Sequence, residues 1–218
     1  DTGEATVSAS SLTFTSSNWD TAQTITVTGI PDYLDDGNQT STVTLSVNDG
    51  SSDDDFDSLA DQTVSVTTTD IDAAPGLTVA QTGSSTSVNE ESSGNTDTFT
   101  VVLNTQPTSD VTITLAGSDA SEASVDVTEL TFTAANWNVV QDVAVAGVDD
   151  SSDDGDQAST LTFSISGAAA YAALDDQSVT VITDDDETSG FTVSTLVATV
   201  SESGSTETLQ VVLDSRPT

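Results

Sequence analysis

Asp149-Asp150-Ser151-Ser152-Asp153-Asp154-Gly155-Asp156 runs directly into Gln157-Ala158-Ser159-Thr160-Leu161-Thr162-Phe163-Ser164-Ile165. From Leu161 onward apolar and hydroxyl side chains alternate with period two, the pattern of a strand with one buried and one solvated face. The first eight residues carry no large apolar side chain. Carboxylates mixed with Ser and Gly make a turn rather than a regular element. The same alternation recurs in Thr24-Ile25-Thr26-Val27-Thr28, Val43-Thr44-Leu45-Ser46-Val47, Val111-Thr112-Ile113-Thr114-Leu115 and Val179-Thr180-Val181. No window combines a helical period with helix formers, so the sequence predicts an all-β fold.

The chain also repeats itself. Leu12-Thr13-Phe14-Thr15 with Asn18-Trp19 returns as Leu130-Thr131-Phe132-Thr133 with Asn136-Trp137, an offset of 118 residues. Gln23, Val27, Gly29, Asp35, Asp36 and Gly37 return at that offset as Gln141, Val145, Gly147, Asp153, Asp154 and Gly155. Later matches shift to offsets of 114 (Gly76-Leu77-Thr78-Val79 with Gly190-Phe191-Thr192-Val193) and 110 (Val101-Val102-Leu103 and Pro107-Thr108 with Val211-Val212-Leu213 and Pro217-Thr218). Loop-length differences between copies account for that drift. Residues 1–72 read as the back part of one repeat, 76–187 as a whole repeat and 190–218 as the front strands of a third.

Strands are expected near 77–80 with 86–89, 98–104, 111–116, 124–133, 139–147, 159–167 and 177–183. Short strands joined by Gly, Asp and Ser turns predict a two-sheet sandwich of the immunoglobulin-like type. The connections at Asp72–Pro75 and Glu187–Ser189 are short, which favours a stiff rod over a flexible string. The incomplete pieces have two readings. Either the stretch is an excerpt of a long array, or the front strands of one chain complete the sheet left open in the next.

Composition removes many chemistries. The 218 residues include one Arg, no Lys, no His, no Cys and no Met, against 37 Asp plus Glu, for a formal net charge of -36. Triads that need imidazole, thiolate nucleophiles, and zinc, haem or iron–sulfur sites are excluded, and so are disulfides. Without a basic patch the chain is expected to repel nucleic acid and anionic membranes. No apolar run reaches membrane-spanning length, so no membrane insertion is expected. The start at Asp1-Thr2-Gly3 has no signal-peptide pattern and reads as a piece of something longer. A surface rich in Asp and free of Lys suits an extracellular, ion-rich setting. What remains is carboxylate, hydroxyl, amide and backbone oxygen, and hard ligands of this kind suit calcium.

The acids cluster at strand ends: Asn89-Glu90-Glu91, Ser118-Asp119, Asp149 to Asp156, Asp175-Asp176 and Asp184-Asp185-Asp186-Glu187. If strands alternate up and down, all but the Asp175-Asp176 pair gather at one pole. Crowded carboxylates raise one another's pKa, and a divalent cation relieves that repulsion. Three segments resemble the Calx-beta domain. They are Val88-Asn89-Glu90 before Thr98-Phe99-Thr100-Val101, the Asp149–Asp156 run before Leu161-Thr162-Phe163, and Val179-Thr180-Val181 leading to Asp184-Asp185-Asp186. That resemblance implies tandem immunoglobulin-like, antiparallel β-sandwiches that bind Ca2+ at one pole, found in exchangers and in large bacterial adhesins. It makes Glu90, Asp119, Asp150, Asp154, Asp156, Asp184, Asp185 and Asp186 ligand candidates, with Asp149 and Asp153 in the same loop.

In the first copy the corresponding candidates are Asp32, Asp35, Asp36, Asp70 and Asp72; Pro31 stands in place of Asp149, Asn38 in place of Asp156, and Ile71 interrupts the final acidic run. Weaker binding is expected there. The third copy contributes Glu202 of Val200-Ser201-Glu202. The resulting expectation is a non-enzymatic, calcium-rigidified spacer of a bacterial surface fibre or adhesin, whose partners are neighbouring repeats. A head-to-tail filament subunit and a glycan-binding adhesin domain are the alternatives. Trp19 and Trp137, each in an Asn-Trp pair, are expected to close the core beside Phe14 and Phe132 rather than to stack a sugar. A glycosidase acid–base pair is disfavoured, since no aromatic platform accompanies the carboxylates.

Overall fold

The computed structural model describes residues 1–91 and 96–217. Thr218, the last residue matched to the whole repeat, lies outside them. The chain forms two compact units, Asp1–Ala74 and Pro75–Thr218. Among the described residues no helix is long and apolar enough to cross a membrane.

The first unit holds β1 (Ala5–Val7), β2 (Val27–Gly29), β3 (Gln39–Leu45) and β4 (Gln62–Thr68). They pair antiparallel as β1 with β2 and β3 with β4. The second unit begins with β5 (Leu77–Gln81), β6 (Thr86–Asn89), β7 (Thr96–Leu103), β8 (Val111–Gly117) and β9 (Ala123–Val125). It continues with β10 (Glu129–Phe132), β11 (Gln141–Gly147), β12 (Gln157–Gly167), a short helix α1 (Ala169–Ala172) and β13 (Gln177–Asp184). Two further strands, β14 (Phe191–Val193) and β15 (Val211–Leu213), pair with each other.

Strands β5 to β13 make the sandwich that the alternating pattern predicts. One sheet runs β5-β7-β11-β9 and the other β10-β8-β12-β13-β6. Every second residue of the long strands faces the gap: Phe99, Val101 and Leu103 from β7, Val143 and Val145 from β11, Leu161 and Phe163 from β12, Val179 and Val181 from β13. Phe99 and Phe163 meet across it edge to face, with ring centroids 5.5 Å apart. Helix α1 places Tyr171 at the end of the core, where its hydroxyl donates to the Thr105 carbonyl at 2.6 Å. The all-β, immunoglobulin-like sandwich expected from the sequence is the fold observed.

Two details differ from expectation. Residues 124–133 are not one strand. Asp126 bonds Ala144 through both its amide and its carboxylate, ending the pairing with β11, and two residues later the Thr128 carbonyl accepts from Leu115. The chain thus transfers from β9 in one sheet to β10 in the other. Nor is the sandwich wholly antiparallel, because β6 lies parallel to β13. The run β5–β6 keeps one direction while crossing between sheets at Thr82–Ser84, where Gly83 and Ser84 both take positive φ.

Trp137 packs against the core as expected. Trp19 does not: it is 71% exposed, and its neighbour Phe14 is 53% exposed. In this unit the β1–β2 and β3–β4 pairs are separate sheets, and the Leu12–Thr15 segment that matches β10 forms no strand, which leaves both rings without the packing that Phe132 and Trp137 have.

Candidate metal centre

The ends of β6, β11 and β13 and the starts of β9 and β12 meet at one pole of the complete sandwich. The loop Asp149–Asp156 connects β11 to β12 and turns at Gly155, whose φ of 76° is a left-handed value that favours glycine. The turn aims the Gly155 amide at the Asp185 carboxylate. Asp185 also accepts from the Glu187 amide at 3.0 Å, and its own amide donates to Asp156 at 3.3 Å. Amide donors, first from Glu187 and then from Gly155, hold Asp185 below the usual carboxylate range. This bracing locks the loop onto the end of β13.

Inside the brace sit acids that are not satisfied. Glu90, Asp150 and Glu187 each bring a carboxylate oxygen within 4.8 Å of the others, and Asp149, Asp186 and Glu187 form a second such group. Two oxygens on opposite sides of a calcium ion lie about 5 Å apart, so both spacings suit that ion. Glu90 is 3% exposed and Glu122 8% exposed. One carboxylate oxygen of each, together with one of Glu187, is buried without a hydrogen-bond partner. Buried polar atoms are nearly always paired; a proton shared between Glu90 and Glu122 satisfies that pair, and a ligand that supplies positive charge would satisfy all three residues. Burial pushes Glu90 up to about 7; repulsion from Glu122, a hydrogen bond from the protonated Glu90 carboxyl to Glu122, and repulsion from Asp150 and Asp185 add to it. Glu122 and Glu187 are raised too, in each case chiefly by burial.

The remaining predicted residues lie around this centre. Asp153 accepts from Ser189. Asp154 is exposed on the turn and adds repulsion to Glu122. Asp184 ends β13 and its carbonyl accepts from the Glu90 amide at 3.2 Å. Asp119 joins neither group of three; its carboxylate accepts from the Ser121 amide and hydroxyl, which lower its pKa. The loop also carries a contact toward the β14–β15 pair, since the Arg216 amide donates to the Ser151 carbonyl at 2.6 Å.

The first unit repeats the arrangement. Asp70 accepts from Gly37 at 2.7 Å and from Asp72 at 2.8 Å, and its amide donates to Asn38 at 2.9 Å. Asp70 therefore stands where Asp185 does, and Asp72 where Glu187 does. Glu4, Asp32 and Asp36 approach one another within 4.8 Å. Asp35 is exposed beside them, and Glu202 belongs to no acidic group of three among the described residues.

Three acids escaped the sequence-based selection: Glu4, Glu122 and Glu187. The signal existed, because Glu4-Ala5-Thr6-Val7 matches Glu122-Ala123-Ser124-Val125 at the offset of 118 residues. Glu4 and Glu122 each stand alone among small residues and carry no charge run, whereas Glu187 closes the Asp184–Asp186 run but lies outside the ligand candidates that the resemblance implies.

The sign of the pH response follows from Glu90. Folded, its carboxyl keeps its proton up to about pH 7; its ordinary value is 4.5. Between those values the folded state binds more protons than the unfolded one, so stability falls as pH rises through this window. In chelator the sandwich is expected to melt roughly 5 °C or more higher at pH 5 than at pH 7.5. Asp185 and Asp119, whose values are lowered, act in the opposite sense but only as pH falls below the ordinary Asp value of 3.8. Equal melts, or a higher melt at pH 7.5, in a calorimetric scan would contradict this reading of Glu90.

Fold and pole together define an immunoglobulin-like sandwich with a braced acidic end. No protein-family model matches the chain, and no curated protein matches it. Among solved structures it is similar to the periplasmic chaperone SfaE, at 8% identity and a TM-score of 0.40, over 51% of this chain and 57% of that one. The chain thus spans little more than half of the chaperone. It is similar to the apo form of the Calx CBD1 domain at 13% identity and a TM-score of 0.35, over 51% of this chain and 98% of that domain. A PapD-like domain of human CEP192 matches at 11% identity and a TM-score of 0.37, over 51% of this chain and 86% of that one.

Proposed function

We propose that this chain is a non-enzymatic structural repeat of an extracellular, bacterial surface fibre or adhesin, and that calcium at the acidic pole stiffens it. The observation that carries this reading is the gathering of carboxylate oxygens within 4.8 Å of one another, Glu90 with Asp150 and Glu187, and Asp149 with Asp186 and Glu187, beside buried Glu122. Glu90, Asp150, Asp149, Asp186 and Glu187 would hold the ion, with Asp185 and Asp156 bracing the loop around it. Calcium would supply the positive charge that allows these acids to ionise together. The Asp149–Asp156 loop reaches residues on either side of the Phe191–Leu213 pair through Ser189 and Arg216, so ordering the loop would stiffen the junction that follows β13.

Small-angle scattering of the full chain tests the mechanical part. Millimolar calcium is expected to yield a more extended and less flexible particle, and chelator to reverse the change. Superimposable curves in calcium and chelator would refute a stiffening role.

A further inference from the structure

We propose that β5 is a strap that lifts off the sandwich in one piece, swinging on Thr82–Ser84 while β6 and the rest of the fold stay in place. The observation behind this is Ser84, whose φ of 79° is the one positive value outside glycine among the described residues. A side chain in that left-handed region costs free energy, and such residues mark places where a fold is held under strain for a purpose. Ser84 follows Gly83, itself at a φ of 67°, where the chain leaves one sheet for the other. The crossing is the strained joint of this sandwich.

The segments on either side of that joint are held very differently. In β6, Thr86 and Val88 are buried and the strand pairs with β13. Its last carbonyl, of Asn89, rests on Gly147 so closely that a Cβ there would lie 2.0 Å away. By contrast β5 pairs only with β7, and none of its residues is fully buried. Its other flank borders a groove of about 430 Å³ shared with Gln177, Ser178 and Val179 of β13. Side-chain and end contacts fasten the strap. The Asn104 amide donates to the Gly76 carbonyl at 2.9 Å, the Thr78 hydroxyl to the Asn104 side chain at 2.8 Å, and the Thr82 hydroxyl to the Thr98 carbonyl at 2.8 Å. Lifting β5 therefore breaks one short ladder and uncovers half-buried side chains, whereas lifting β6 would uncover the core. Strain released at Ser84 offsets part of the cost. The opened strap frees residues 76–84, about 30 Å of chain when extended, so a tandem array could lengthen at its links with every core intact. This opening needs no cation and stands apart from the calcium reading above.

Amide hydrogen exchange of the 218-residue chain, resolved by NMR, tests this. In the wild type the protected amides of Leu77–Gln81 are expected to exchange at one shared rate, about tenfold or more faster than those of β6 and β13. Ser84→Gly removes the strain from the closed state and should slow that shared rate about tenfold. Ser84→Val puts a β-branched side chain in the left-handed region and should raise it. Thr78→Cys with Val102→Cys sets two thiols opposite each other in a chain with no other cysteine, so oxidation of the dilute monomer ties β5 to β7. The tie should bring the β5 amides to the rate of β13, and a reductant should restore the faster rate. Exchange of β5 no faster than that of β13 would overturn the inference. So would rates that fall steadily from Leu77 to Gln81, because fraying from Gly76 needs no hinge, or an unchanged rate in Ser84→Gly.

Discussion

Glu90→Gln with Glu122→Gln should make the sandwich more stable without metal and indifferent to calcium. In chelator at pH 7.5 the native fold holds these two buried acids against each other and against Asp150. Gln keeps the shape and removes the charge, so the double variant is expected to melt roughly 5–10 °C above wild type in chelator. With calcium the order reverses. A ligand bound only by the folded state at a hundred times its Kd adds about 2.7 kcal/mol, and wild type alone should gain it. If the acids merely solvate the surface, neither substitution shifts the melt in either condition. Differential scanning calorimetry on the four samples reads both effects, and a variant that still gains stability with calcium would remove Glu90 and Glu122 from the centre.

Phe163→Ala is expected to cost about 3–5 kcal/mol, since the ring is fully buried and a cavity would remain beside Phe99. Domains of this size have only about 5–15 kcal/mol in total, so the substitution removes a large part of the stability. Val139→Ala, at a residue 56% exposed, should change it by less than about 0.5 kcal/mol. Urea unfolding in a Trp19→Phe background, followed by the fluorescence of Trp137, distinguishes the two. A small effect at Phe163 would mean that the two sheets do not depend on that ring pair.

Much of this was legible in the residues. Leu161-Thr162-Phe163 announces its buried face through alternation alone, and the Asp149–Asp156 turn is visible because eight consecutive residues lack a large apolar side chain. The offset of 118 residues carried Asp150, Asp153 and Asp154 onto Asp32, Asp35 and Asp36, and one of 115 carried Asp185 onto Asp70. Other features depend on three-dimensional placement. Glu122 became notable only through burial, and Asp126 ends a strand by bonding Ala144, a partner distant in sequence. The parallel seam of β6 and β13 has no local signal, because pairing across the repeat is set by where the chain crosses between sheets.

That seam joins the first part of the repeat to its last strand, with Thr86 opposite Val181 and Asn89 opposite Asp184. A pull that draws Pro75 and Glu187 apart drags β6 and β13 past each other along their length. The hydrogen bonds between them are then loaded together, in shear, rather than opened one at a time like a zip. The Glu90 amide bonded to the Asp184 carbonyl extends the loaded row to the edge of the acidic pole. A run of such repeats would behave under tension as a chain of clamps, each resisting as a block until the whole row gives way.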